Sequence, residues 1–261
     1  MGRARRTTLT EPVCYHLTHR CQERRFLLKF ALDRRNYVRR LRQMVAGYRV
    51  SVLDYMVTCN HVHLLLWARQ GGDVAAALHF LQGNTARDYN RRKGREGSFW
   101  RGRYHPTLIE SGRHLSRCLF YIDLNMVRAG AVEQPAQWDA CGCRELAEER
   151  SRRRAVIDRK RLLDCLEFGG NWQAFTEWHR RTLGELVSSG WRVREPVWTT
   201  AAAIGTRPFV LRLATGLRGA ELSELPEPGP ALSPMVLGEA EPVYALHLSE
   251  RTRRLFWEDR Q

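Results

Sequence analysis

Hydrophobic and polar positions alternate with a period of two from Val13 to Cys21, which predicts a strand. Asp33 to Gly47 switches to helical spacing, with Tyr37, Leu41 and Met44 on one side of a basic helix. Arg49 to Cys59 alternates again, placing Leu53, Tyr55 and Val57 on one face. Asn60 supplies a turn residue, and His61 to Ala68 predicts a third strand, close enough to the second for a tight hairpin. Asp73 stands as an N-cap ahead of a helix whose stripe holds Val74, Leu78, Leu81 and Tyr89. Arg103 to Glu110 predicts a fourth strand. Pro106 within it lacks a ladder donor, which argues for a sheet edge. A last strong helix runs from Arg113 to Ala129, and Gly130 follows as its C-terminal cap.

The predicted order is β-α-β-β-α-β-α, the α+β plan of ferredoxin-like and RRM-like domains. It implies an antiparallel sheet with helices on one face, the other left free for chemistry or nucleic acid. This domain spans residues 12–135. Beyond Trp138 the character changes: residues 145–222 read as a mostly helical C-terminal region, with helical periodicity that includes Thr199–Leu217. Residues 223–261 read as a proline-rich arm or tail, with five prolines between 223 and 242.

Charge narrows the partner. The chain of 261 residues carries a formal net charge of +15, almost entirely from arginine. Arginine forks onto phosphate oxygens and stacks on bases, so a nucleic-acid partner leads. A GC-rich genome would explain the preference for arginine over lysine but not the excess of base over acid. No apolar run is long enough to span a bilayer, and no apolar segment follows the basic start, so neither a membrane anchor nor a secretory signal is expected. Seven scattered cysteines without a CxxC pair argue against a disulfide framework or zinc knuckle and fit a reducing cytoplasm.

Three elements could carry chemistry. His61-Val62-His63 on a strand puts two imidazoles on one face, a geometry for two ligands of one divalent metal or for two ordinary half-buried histidines. On the last helix, Leu115, Leu119, Ile122, Met126 and Ala129 form the apolar face, while Arg117, Tyr121, Asn125 and Arg128 form a separate polar stripe. The tyrosine could be a nucleophile or could pack at the core margin. In Ser98 to Tyr104, Trp100, Arg101 and Arg103 interleave aromatic and basic groups, suited to stacking on bases and clamping phosphates. Trp100 could equally anchor the loop.

These segments together resemble a family. Cys59-Asn60-His61-Val62-His63-Leu64-Leu65-Leu66, Phe99 to Tyr104, Tyr121 to Ala129 and Tyr15 to Arg20 are each similar to a motif of single-tyrosine transposases with a His-hydrophobic-His pair, in particular the REP-associated tyrosine transposases. Ala203 to Val210 also resembles a stretch of their longer members. Met126, Phe120 and Cys59 depart from the family pattern, at positions that are neither presumed ligands nor the nucleophile.

The resemblance implies a metal-dependent enzyme that cleaves and rejoins DNA. Tyr121 would be the nucleophile. His61, His63 and Asn125 would be ligands of Mg2+ or Mn2+, and a 5′-phosphotyrosine the intermediate. Single-stranded or hairpin DNA would be the substrate, met by a cytoplasmic, nucleoid-associated monomer or homodimer. A replication or relaxase-type nickase, or a non-catalytic DNA-binding protein with an RRM-like sheet, are the rival readings. The region after residue 140, basic at Arg152, Arg153 and Arg154, is expected to grip the hairpin while taking no part in chemistry, so that its removal spares metal binding.

Overall fold

The computed structural model describes residues 11–147, 155–215, 220–225 and 242–249. Its first half runs β1 (Val13–Arg20), α1 (Ala31–Gly47), β2 (Val50–Val57), β3 (His61–Ala68), α2 (Gly71–Lys93), β4 (His105–Ile109) and α3 (Arg113–Asp123). β1 pairs antiparallel with both β3 and β4, and β2 pairs antiparallel with β3. The spatial order β2-β3-β1-β4 is that of a ferredoxin-like sheet, as the periodicity predicts.

A short helix, α4 (Asn125–Arg128), follows α3. The extension beyond it is mostly helical, through α5 (Gly142–Ala147), α6 (Arg159–Cys165), α7 (Trp172–Ser188) and α8 (Arg207–Ala214). It also contributes three strands that periodicity did not reveal: β5 (Ala203–Gly205), β6 (Ala220–Leu225) and β7 (Val243–Leu248). They continue the same sheet beyond β4 in the order β5-β7-β6, with β5 parallel to β4. β5 is too short to show a period, and β7 stands beside proline-rich sequence. Only the burial of Ala245, Leu246 and Leu248 against the sheet explains why it pairs. Arg152 to Arg154 lie outside the described residues.

The longer sheet corrects the placement of Pro106. β4 is internal, yet its partner β5 begins opposite Leu108. The amides of Leu108 and Glu110 point toward the extension and donate to the carbonyls of Ala202 and Ile204. Alternation turns the Pro106 nitrogen the same way, at a level β5 does not reach, so the missing donor costs no ladder bond. Asp73 does not cap α2. The helix starts at Gly71 behind Gln70, and Asp73 sits in the first turn, where its charge still complements the helix dipole. The helix predicted from Arg113 to Ala129 is two: Leu124 leaves helical geometry (φ −79°, ψ 2°) and α4 resumes after it. Gly130 does end it, at φ 67°, a conformation that favours glycine.

Strand register divides the side chains between two faces. Tyr15, Leu17, His19, Val62, Leu64 and Leu66 share the face covered by α1 and α2, since Gln82 of α2 reaches the hydroxyl of Tyr37 of α1 there and Trp100 stacks on His19. Cys14, His16, Arg20, His61, His63, Leu65 and Trp67 share the other. That second face is not free. Leu65 and Ile109 are fully buried on it, and apolar surface of this kind demands cover. α3, α4 and the extension supply it, with Arg161 of α6 stacked 3.8 Å over Trp67.

Buried polar contacts fasten the extension. His179 of α7 meets Asp123 at 2.7 Å. Glu145 of α5 accepts from the amides of Val156 and Ile157 and from the Tyr55 hydroxyl. Gly142 lies so close to the Asp54 carboxylate that a Cβ there would collide with it.

Candidate active site

The site forms where the second face of the sheet meets α3. His63 stands opposite Thr18 and His61 opposite Arg20, so both histidines share a face with His16. His16 and His63 are buried, and their rings lie nearly parallel with centroids 5.1 Å apart. His16 Nε2 is 2.9 Å from His63 Nδ1, and His16 Nδ1 is 3.0 Å from the carbonyl oxygen of Trp198.

These distances fix where the protons sit. A carbonyl only accepts, so His16 carries its proton on Nδ1. Its Nε2 then accepts from Nδ1–H of His63, which leaves the His63 Nε2 without a proton. That nitrogen accepts from the Asn125 side-chain Nδ2–H at 3.1 Å. His61 Nδ1 is 2.8 Å from Asn60 Oδ1 and 2.9 Å from Thr58 Oγ1. Donation to Asn60 leaves the His61 Nε2 lone pair bare.

Each ring is held neutral. Burial, then the charges of Arg20, Arg194 and Arg128, push the His61 pKa down to about 4. Burial, then His61 and His16, push His63 well below the usual imidazole range. Burial lowers His16 to about 3 despite the Trp198 carbonyl.

Tyr121 of α3 completes the group. Its ring stands edge-on to His63 and His16, with centroid separations of 6.0 and 6.1 Å, and 5.8 Å from Trp198. The Arg128 guanidinium lies 4.2 Å from the centre of the ring, and its Nη2 donates to the Tyr121 carbonyl at 2.7 Å. Arg128 Nη1 is buried without a partner among the described residues. Burial raises the Tyr121 pKa, while Arg128 and Arg194 pull it back. Burial, then Arg24, Arg194 and Arg101, lower the pKa of Arg20, so several guanidiniums crowd one end of the sheet.

Of the residues singled out from sequence, His61, His63, Tyr121, Asn125 and Arg128 come together here. Arg117 does not join them as an open cation: it is buried and paired with Glu195 at 2.5 Å, and Glu195 also accepts from the Trp198 indole. Trp100 lies on the opposite face of the sheet. It is 7% exposed, and its indole N–H donates to the Gln82 carbonyl, so it anchors the loop and is not placed to stack on bases. Arg101 and Arg103 are exposed on that loop, and the Arg101 amide donates to the Arg20 carbonyl.

Sequence reading gave no role to His16, Arg20, Arg194 or Trp198. For His16 and Arg20 a signal existed: they lie on one face of β1, and the pairing register brings that face beside His61 and His63. Arg194 and Trp198 follow a glycine after α7, where no periodicity speaks. Their presence brings the region after residue 140, expected only to grip the hairpin, into contact with the site.

The donor set suits a divalent cation with mixed nitrogen and oxygen ligation: two unprotonated imidazole nitrogens, and an amide whose rotation would free the His63 lone pair and offer an oxygen in place of its N–H. Among the described residues no group of three or more His, Cys, Asp or Glu side chains is arranged to hold a metal. Water and phosphate would therefore have to complete any coordination.

Residues 10–125 match the family model described as Transposase IS200 like. The matched segment, less than half of the 261 residues, is similar to that family. Among solved structures, this chain is similar to the REP associates tyrosine transposase bound to a REP hairpin. The two share 18% identity and a TM-score of 0.45, over 60% of this chain and 94% of that one. It is also similar to a candidate transposase from Deinococcus radiodurans R1, at 21% identity and a TM-score of 0.32, over 41% of this chain and 82% of that one. No curated protein matches. The matched segment holds every residue of the site except Arg128 and the contributions of the extension. Among the described residues no helix is long and apolar enough to cross a membrane.

Proposed function

We propose that this chain is an enzyme acting on DNA, which cleaves and rejoins single-stranded or hairpin DNA with Tyr121 as nucleophile. The observation that carries the reading is the meeting of one tyrosine, two neutral imidazoles with unprotonated Nε2 atoms, an amide beside one of them and an unpaired arginine donor within a single chain.

His61, His63 and Asn125 would hold Mg2+ or Mn2+, which when bound acts as a Lewis acid on the scissile phosphate. The protein's own groups supply the rest. Arg128 lies over the Tyr121 ring, where its charge favours the phenolate that burial disfavours. Its free Nη1 and the guanidiniums of Arg20 and Arg194 offer donors to phosphate oxygens. The Tyr121 phenolic oxygen bonds to phosphorus as the bond from phosphorus to the 3′ oxygen breaks. The phenolic proton is given up, and the 3′ oxygen leaves as a hydroxyl after taking a proton. The phosphodiester energy stays in the 5′-phosphotyrosine, so a 3′-hydroxyl can reverse the step without a nucleotide cofactor.

The test is a hairpin oligonucleotide with labelled single-stranded flanks, incubated with Mn2+ or with chelator. A protein–DNA adduct that requires Mn2+ and is lost in Tyr121→Phe supports the assignment. An adduct formed by Tyr121→Phe would sink it.

A further inference from the structure

The segment joining β1 to α1 carries an unusual surface. Phe26 and Phe30 are 65% and 60% exposed, and among the described residues no other Phe, Tyr or Trp side chain is exposed. The segment is not loose. Leu27 and Leu28 between them are buried. The Leu28 amide donates to the Cys59 carbonyl at 2.9 Å, and Arg34 donates to the carbonyls of Leu28 and Lys29 at 3.3 and 2.6 Å. A fixed backbone thus presents both rings to solvent.

The turn before them is strained. Glu23 and Arg24 adopt φ of 52° and 57° without being glycine, a cost that proteins tend to retain at functional sites. The Asn60 side chain donates to the Arg24 carbonyl at 3.1 Å, and the Cys21 amide donates to the Asn60 carbonyl. The turn is therefore bound to the residue that precedes His61.

Charge identifies the occupant. Arg24, Arg25 and Lys29 flank the rings, are exposed, and form no ion pair among the described residues. Lys93 Nζ lies 5.4 Å from the Phe30 ring. Arg24 also stands near Arg20, so basic groups run from this loop to the site. Exposed rings among unpaired cations fit single-stranded nucleic acid, which offers base faces and phosphates together. Duplex DNA hides its base faces, and a second copy of this chain would bring like charge against like.

We propose that Phe26 and Phe30 are a base-stacking platform for the unpaired DNA adjoining the scissile phosphate, with Arg24, Arg25 and Lys29 holding its backbone. The proposal deepens the reading of the chain as an enzyme of single-stranded DNA and rests on it.

The experiment measures affinity by fluorescence anisotropy for a hairpin with single-stranded flanks and for the same hairpin without them. Phe26→Ala/Phe30→Ala should weaken binding of the flanked hairpin at least about fivefold, the low end for one base stack, and leave the unflanked hairpin unchanged. Arg24→Gln/Arg25→Gln/Lys29→Gln should flatten the log–log salt dependence by about 0.7 for each phosphate that is no longer neutralised. Phe26→Leu/Phe30→Leu keeps apolar area without aromatic faces and should behave like the alanine variant. Rescue by leucine, or a change in sedimentation on substitution, would assign the patch to a protein partner and overturn the platform. So would wild-type affinity for the flanked hairpin in the alanine variant. Failure of the unsubstituted protein to bind either DNA would instead reject the underlying reading. All three variants alter exposed side chains, so an unchanged melting temperature confirms that each still folds.

Discussion

His16 touches no substrate on this reading, yet it should govern metal affinity. It joins two buried groups, the Trp198 carbonyl at 3.0 Å and His63 Nδ1 at 2.9 Å. His16→Ala leaves both without a partner. Each unsatisfied buried group costs about 1–3 kcal/mol, so the loss falls at roughly 2–6 kcal/mol, a large share of a domain's typical 5–15 kcal/mol. The effect on metal has a separate origin. Without His16, His63 is free to move its proton to Nε2, and a protonated nitrogen cannot coordinate. Removing such a supporting partner typically costs 10–100-fold in metal affinity, or about 1.4–2.7 kcal/mol.

Stability and tautomer can be separated. His16→Gln can still donate from its amide nitrogen to Trp198 and accept through its amide oxygen from His63. Calorimetric titration with Mn2+, below the melting temperature of each variant, should show the 10–100-fold loss in His16→Ala and recovery of most of it in His16→Gln. Nitrogen chemical shifts of His63 in metal-free protein should report a protonated Nδ1 and a bare Nε2 in the unsubstituted chain, with the distinction lost in His16→Ala. If His16→Ala melts lower but binds Mn2+ with unchanged affinity, His16 is a packing residue and the relay argument fails.

Other expectations follow from the same geometry. Because Tyr121 lies 6.0 Å from His63 within one chain, a mixture of Tyr121→Phe and His63→Ala proteins should not regain cleavage, whereas recovery would show that the tyrosine acts on a neighbouring subunit's site. Burial pushes both His19 and His114 down to about 4. Folding therefore favours their neutral forms, and stability present above the unfolded value near 6.5 should fall as pH drops toward 4. The cost is on the order of 1–2 kcal/mol per histidine by pH 5, and a flat denaturant midpoint across that window would contradict it. Arg117→Ala strands Glu195 beside Trp198, and the loss of one partner of a buried pair costs about 3–5 kcal/mol; a melting temperature equal to the parent's would refute this. Truncation after residue 140 removes Trp198 and β5, so it should abolish Mn2+ binding, and a truncated domain with full affinity would show that the extension is dispensable to the site.

What the sequence made legible was local. The β1 and β3 alternation, the helix stripes and the His-x-His spacing each describe a face of one element, and each face was found where its period put it. Period two put His61 and His63 on one face and helical spacing put Asn125 a turn from Tyr121, but only the resemblance of their motifs gave these residues roles, and the break at Leu124 escaped the spacing. The rest depends on pairing between distant segments. His16 acquires its role only through register with β3, and Trp198 only through a backbone carbonyl, which no side-chain pattern encodes. Trp100 was ambiguous because an aromatic among arginines looks the same whether its ring faces a base or His19. The three late strands escaped because a few residues beside prolines carry too little period to separate from an arm.

The arginines around the site give the arrangement a common electrostatic logic. Arg20, Arg128 and Arg194 lie close enough to disfavour a proton on His61, and the pKa of Arg20 is itself lowered by its cationic neighbours after burial. Such crowding is unfavourable while the protein is alone. It adds to the larger effect of burial in keeping the imidazoles neutral, the state a metal requires. It also offsets, through Arg128 and Arg194, the rise that burial imposes on Tyr121, and so brings a poor nucleophile nearer to reactivity. An anionic strand relieves the repulsion on arrival, and phosphate is the ligand that benefits most because guanidinium donors fit its oxygens. The same field therefore prepares the ligands, favours the phenolate and draws the substrate. The extension supplies part of that field in Arg194, and its Trp198 carbonyl holds the His16–His63 hydrogen bond in register, so the chemistry proposed for this site would belong to the first 128 residues and the extension together.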